Sequence, residues 1–322
     1  MTNKLIVCGI ALFFAVMPLA ECGAADGEPD VYIVGNDDNG AALWKNGVKQ
    51  KFDLKGVPIP LFVHVSGNDI YVAGGDGNPV LWKNGVTQKL GDGKEIGHAS
   101  SVYVSGSNVY VAGTLGFDVV LWKNGAIQKL PMGFGGDAHF VYASGSDVYV
   151  LGHNMDNRVT GVTWKNGVAQ IWNRGSSVAS VYVSGDDVYF AGSVNMRSGA
   201  KNISVATLWK NGVAQKLSDE SHWAIAKYVY VSGNDVYVAG TEYIAPDTAV
   251  ATLWKNGVAQ KLTSGSRDES AEIVYTSGDD VYVAGFRGRD GYKDVMFWKN
   301  GKVRKIFKKS ISTDLFNSVF IK

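Results

Sequence analysis

Cysteine is nearly missing from this chain. Only two occur in 322 residues, Cys8 and Cys22, and both stand in the N-terminal segment. For everything that follows, a disulfide framework, a thiolate nucleophile and a cysteine metal site are excluded. An excess of one charge is missing too. The 31 basic and 30 acidic residues leave a formal net charge of +1, which gives no global field favouring nucleic acid or an anionic membrane surface. A cluster at Lys302, Arg304, Lys305, Lys308 and Lys309 is the one local departure, and it reads as a solvated edge. Beyond residue 25 no apolar run is long enough to span a bilayer. Local catalytic signatures are also absent: there is no nucleophile elbow, phosphate loop or His-Glu-x-x-His.

The N-terminus reads as an export signal. Lys4 supplies the positive start, Leu5 to Ala20 the apolar run, and Gly23, Ala24 and Ala25 the small residues of a cleavage site. Pro18 and Glu21 end the run. Residues 1–25 are therefore expected to be a signal peptide, with the mature chain, 26–322, periplasmic or extracellular. The competing reading is a lipid anchor on Cys22, because Leu19, Ala20 and Cys22 resemble a lipidation box. Glu21 stands where that box wants a small residue and counts against it.

What the chain has in abundance is glycine, 40 residues, and repetition. Trp-Lys-Asn-Gly occurs seven times, with tryptophans at Trp44, Trp82, Trp122, Trp164, Trp209, Trp254 and Trp298, spaced 38 to 45 residues apart. A second signature, as in Val229 to Gly240 (VYVSGNDVYVAG), precedes most of them. A period near forty, with four short apolar segments per unit and no helical periodicity, predicts propeller blades. In the unit beginning at Val229, strand A is Val229 to Val231, strand B Asp235 to Ala239, strand C Ala251 to Lys255 and strand D Val258 to Leu262. Asn256-Gly257 makes a two-residue hairpin turn in which both positions tolerate positive φ. The expected fold is all-β, a seven-bladed β-propeller with four antiparallel strands per blade.

The first unit lacks a strand A. Asp30 to Val34, Ala41 to Lys45 and Val48 to Phe52 supply only B, C and D, while Ser318 to Lys322 at the other end matches strand A with no strand B after it. The last segment is therefore expected to pair beside Asp30 to Val34 and close the ring. These units resemble a family of bacterial exported and surface propellers carrying YVSGNDVYVAG and LWKNG repeats, over essentially the whole mature chain. That resemblance implies the propeller fold and export, and it implies no reaction. Likeness to WD-repeat or kelch propellers is only architectural, since the glycine pair and Gly-His signatures are absent.

Comparison of the seven units separates constant from variable parts. The A-to-B and C-to-D turns are nearly fixed. The D-to-A and B-to-C links vary in length and chemistry, from Gly75 to Val80 in one blade to Ser193 to Thr207 in another. Alternating strand direction puts both variable links on one face, and loops on a rigid scaffold are where recognition usually resides. The unusual residues gather there: His98, His139, His153, His222 and Trp223 in variable links, with Asp137, Glu269 and Glu272 just before inner strands, near the channel mouth. They are the candidate ligand-binding residues. The bland alternative is that residues deviating from a repeat turn up wherever the repeat is unconstrained. The strand C tryptophans read as interblade core, His64 as a substituted core aromatic, and the recurring Asp and Lys of the fixed turns as turn chemistry with exposed ion pairs. No two of the histidines stand at a metal-ligand spacing, so no metal site, catalytic set or cofactor is assigned.

The leading expectation is an exported, non-enzymatic and monomeric module that binds a protein or glycan through the variable face. A propeller hydrolase or lyase with a channel-mouth site using His98, His139 and acidic neighbours is the alternative. A structural surface protein is the third.

Overall fold

The structure is a computed structural model that describes residues 27–322 except 38, 52, 53, 55, 133, 134, 155–159, 174, 199, 200, 246, 247, 266, 267, 290, 291 and 308–314. The signal-peptide reading, both cysteines, Phe52 of the first strand D, and Lys308 and Lys309 of the basic cluster lie outside the described residues. Among the described residues the regular structure is all strand, arranged as seven four-stranded antiparallel sheets. Each sheet runs A-B-C-D, in sequence order in blades 2 to 7. Blade 2 begins at Pro60–Ser66, blade 3 at Gly97–Ser105, blade 4 at Gly136–Ser144, blade 5 at Ser176–Ser184, blade 6 at Trp223–Ser232 and blade 7 at Glu269–Ser277. Blade 1 takes strands B to D from Val31–Asp37, Gly40–Lys45 and Val48–Lys49, and its strand A from Leu315–Ile321 at the far end of the chain. Val31 pairs with Ile321 and Val34 with Ser318, so the expected closure is what the structure shows. Strands A of neighbouring blades touch all the way round, the C-terminal strand meeting those of blades 7 and 2.

Burial follows the repeat. Blades 2, 3, 5 and 6 present a Tyr-Ala-Leu face to the next blade, which meets it with an apolar face ending in the strand C tryptophan, and the other three blades vary this pattern. Tyr237, Ala239 and Leu253 of blade 6, for example, pack on Val274, Val283 and Trp298 of blade 7. The apolar core is thus divided among the seven blade interfaces, each with its own cluster. The strand C tryptophans are all buried, and Trp122 and Trp164 donate their indole N–H to Leu90 O and Pro131 O of the preceding blade, each at 2.8 Å. Strand D is the solvent edge. All four residues of Val258–Lys261 are exposed.

One face is held by a repeated clip. Every Asn of the Asn-Gly turns has positive φ, between 45° and 52°, and the following glycine does too, which matches the right-handed twist of the hairpin. That Asn reaches across the blade. Asn256 Oδ1 accepts from Val236 N at 2.8 Å while its Nδ2 donates to Asp235 Oδ1 at 2.8 Å. Lys255 completes the corner with a 2.7 Å bridge to Asp235 and its ammonium over the Tyr237 ring. Hydrogen bonds from Lys255, then Asn256, hold the Asp235 carboxyl below its ordinary pKa.

Two features depart from the expected strands. Strands A are nine or ten residues long in blades 3 to 7, where the repeat marked only their last few, and each of these is bulged after its first turn of pairing. The bulged residues are Ser100, His139, Ala179, Lys227 and Glu272. The B–C hairpins also lengthen unevenly. Blades 5, 6 and 7 carry tall ones, Asp187–Ser198 with Lys201–Lys210, Asp235–Ala245 with Thr248–Lys255, and Asp280–Arg289 with Tyr292–Lys299. In blade 2 the same hairpin is only Asp69–Gly74 with Val80–Lys83.

Candidate functional site

Looking down the axis, the inner strands put one ring system at the same position in every blade: His64, Tyr103, Tyr142, Tyr182, Tyr230, Tyr275 and Phe320. Neighbouring members approach at centroid distances of 4.9–5.8 Å from Phe320 through His64 round to Tyr275. Burial in this belt takes the His64 imidazole down to about 3. Two residues nearer the variable face, Phe62, Phe140 and Tyr228 of alternate blades meet edge to face at 6.2–6.3 Å across the small Ser101 and Ser180. Those serines accept hydrogen bonds from Val141 N and Val229 N of the next large-residue blades. The channel mouth therefore has an aromatic floor.

The candidate residues fall into three sets above that floor. His98, Asp137, His139 and Trp223, expected in links or just before strands, belong to the lengthened inner strands themselves, as do Glu269 and Glu272. His153 is the last residue but one of strand B of blade 4, Asp147–Asn154, and His222 lies just before strand A of blade 6. The structure brings four of them together at blades 3 and 4. His98 Nε2 lies 3.3 Å from Asp137 Oδ1, and His98 Nδ1 lies 3.0 Å from Thr114 Oγ1. Asp137 pairs in register with His153, whose ring stacks on His139 at 6.1 Å. The His139 N–H donates to Val178 O of blade 5 at 2.8 Å. Burial works to raise the Asp137 pKa, but the His98 imidazole beside it, with His153 and His139 further off, holds it below the ordinary carboxylate value. Burial lowers the His139 pKa, against the hydrogen bond to Val178 O. Among the described residues no three His, Cys, Asp or Glu side chains are grouped to hold a metal.

The second set straddles blades 6 and 7. Glu272 accepts from Lys227 at 2.5 Å and from Ser270 Oγ at 2.6 Å, two bulged residues latching adjacent blades. Glu269 does not join them: it is 4% exposed, opposite Arg287 on strand B.

The third set lines a cavity of about 850 Å³ between the tall hairpins of blades 5 and 6. Trp223 and Tyr243 are directly opposed on neighbouring strands of blade 6, so their rings emerge on one face. They are 48% and 37% exposed. The Trp223 indole N–H donates to Asn202 O on the blade 5 hairpin at 3.0 Å, which fixes the ring plane. Ile203, Ile225, Ile244 and Ala245 complete the apolar wall, and Ser221, His222 and Asn202 supply the polar edge. His222 is held through its Nδ1, with a carboxylate near its other nitrogen. Ser221 Oγ lies 2.6 Å from its Nδ1 and from Asp219 Oδ1, and buried Glu242 lies 3.9 Å from its Nε2. Sequence reasoning singled out His222 and Trp223 and missed Tyr243, Asn202, Lys227 and Thr114. The signal for Tyr243 was the unusually long B–C link of its unit.

No protein-family model matches the chain, and no curated protein does. Among solved structures it is similar to a computationally designed protein, at TM-score 0.52 and 14% identity over 91% of each chain. It is also similar to the acylaminoacyl peptidase of Pyrococcus horikoshii, at TM-score 0.50 and 15% identity, and to a puromycin hydrolase, at TM-score 0.52 and 11% identity. The match covers 78% and 90% of this chain, but only 46% and 55% of the two enzymes. Identities this low carry the fold alone.

Proposed function

We propose that this chain is an exported binding module that recognises a protein or glycan ligand through its variable face, with the groove between blades 5 and 6 as the site. One observation carries the reading. Every tryptophan of the repeat is buried between blades, whereas Trp223, outside the repeat, is half exposed, held in orientation by Asn202, and paired with an exposed tyrosine. An exposed aromatic pair in a concave, mostly apolar cavity with a few convergent polar groups is the usual form of a ligand site.

A second reading, a hydrolase or lyase at the channel mouth, is favoured by the 3.3 Å approach of His98 to Asp137, which sets an imidazole beside a carboxylate there. One set of variants separates the two. Trp223→Ala and His222→Ala should weaken capture of a ligand found on glycan and peptide arrays with the melting temperature unchanged, while His98→Ala leaves capture intact. Turnover of an ester, peptide or glycoside panel that disappears in His98→Ala, with capture untouched by Trp223→Ala, would establish the enzyme instead.

A further inference from the structure

We infer that the ligand of the blade 5–6 groove is a neutral oligosaccharide. The inference rests on the groove being the binding site and goes on to name what it takes.

Three properties of the groove point the same way. Its size is that of a small-ligand cavity, roughly 300–1,000 Å³; at about 850 Å³ it holds a short oligosaccharide. A folded protein partner usually needs a broad surface of about 800 Å² on its side.

The second property is the chemistry of the wall. A pyranose ring has an apolar face of C–H groups and an equatorial girdle of hydroxyls. Trp223 and Tyr243 offer two adjacent aromatic faces that are wet at one edge, the arrangement in which flat amphipathic rings stack at low entropic cost. Because the two residues are directly opposed on neighbouring strands, they can seat successive sugar rings. Ser221, His222 and Asn202 stand at the edge of this platform, where hydroxyls need both donors and acceptors.

The third is charge. Carboxylates at Asp219, Glu220 and Glu242 surround His222 and the groove's flank, and the lysines nearby are engaged with them: Lys216 with Glu220 at 2.6 Å and Lys261 with Glu242 at 3.9 Å. Among the described residues that line the groove there is no lysine or arginine. A uronic or sialic acid would meet like charge; a neutral sugar meets acceptors for its hydroxyls.

The test uses the full chain on three arrays, of neutral hexose and N-acetylhexosamine oligosaccharides, acidic oligosaccharides, and peptides, followed by titration monitored by tryptophan fluorescence. Trp223 is the most exposed of the tryptophans and reports directly on the groove. The expected result is binding confined to neutral oligosaccharides, with a fluorescence change that is lost in Trp223→Phe while most of the affinity is kept. Trp223→Ala and Tyr243→Ala each weaken binding about tenfold or more, as expected when a stacking ring is removed, and leave the melting temperature unchanged. No binding to the neutral panel at millimolar concentration overturns the inference. Binding of acidic oligosaccharides or peptides that depends on Trp223 also overturns it, while leaving the groove as the site. A ligand of any class whose affinity ignores both alanine variants overturns the groove reading as well.

Discussion

His64 shows how much one residue can depart from the repeat without changing its role. It occupies the tyrosine position of the inner belt, packed between Tyr103 and Phe320, and stays neutral because burial opposes its charge. An unfolded chain binds a proton on this histidine near pH 6.5, whereas the folded chain does so only near pH 3. The unfolded state therefore holds more protons across that window, and folding stability falls as the pH drops through it, by up to about 1.4 kcal/mol per pH unit. Above pH 6.5 the contribution is flat. Partly buried His139 pulls in the same direction. His64→Tyr restores the repeat residue, so its denaturation midpoint should decline less than the wild type between pH 6 and pH 4 and coincide with it, apart from a constant offset, above pH 7. Parallel acid limbs would contradict the burial argument. The sequence made His64 legible, as it stands in a repeated position with a known alternative. It made Trp223 legible only as an outlier. That Trp223 faces a groove depends on the neighbouring hairpin carrying Asn202 and Ile203, and no position in its own unit encodes that.

Strands and turns were legible because each repeat restates them. Asn-Gly marks the C–D hairpin, the Ser-Gly pair the A–B turn, and the uninterrupted Val-Tyr-Val runs announce sheets covered on both sides. The strand ends were not, and the reason is the bulge. Strand A continues past the signature because one residue loops out, which lets a differently patterned stretch, including His98, Asp137 and Trp223, resume pairing with strand B. A sign of it was nonetheless present in the glycine that ends Val-Tyr-Val-Ala-Gly, since a glycine inside a strand often marks a bulge or a close backbone approach. At Gly240 an added Cβ would come 2.1 Å from Ile225 O and 2.9 Å from the Trp254 ring. Gly113, Gly152, Gly192 and Gly285 face the equivalent carbonyl at 1.9–2.0 Å. Gly240→Ala should therefore cost about 2 kcal/mol or more through overpacking against backbone that cannot yield. Chemical denaturation measures it, and an unchanged midpoint would separate the glycine from the bulge.

At the scale of the molecule, dividing the core among seven equivalent interfaces makes the ring only as sound as its seam. The seam has the same construction as the rest. Val319 and Ile321 are buried with Val31, Ile33 and residues of blade 7, Phe320 takes a place in the aromatic belt, and Asn317 donates to Pro60 O of blade 2 at 2.8 Å. Alternating strand direction gives the two faces their different characters. Clips repeat on one, while among the described residues the other is raised into tall hairpins over blades 5 to 7, two of which enclose the groove. The most direct test of this architecture removes residues 315–322 and follows thermal unfolding. Losing two buried apolar side chains, at about 2 kcal/mol each, with a shift of about 2–4 °C per kcal/mol, lowers the melting temperature by about 10 °C or more. A synthetic peptide of residues 315–322 added in excess should restore much of the loss by refilling the seam. A truncated chain that melts with the full-length protein, and ignores the peptide, would contradict the closed ring.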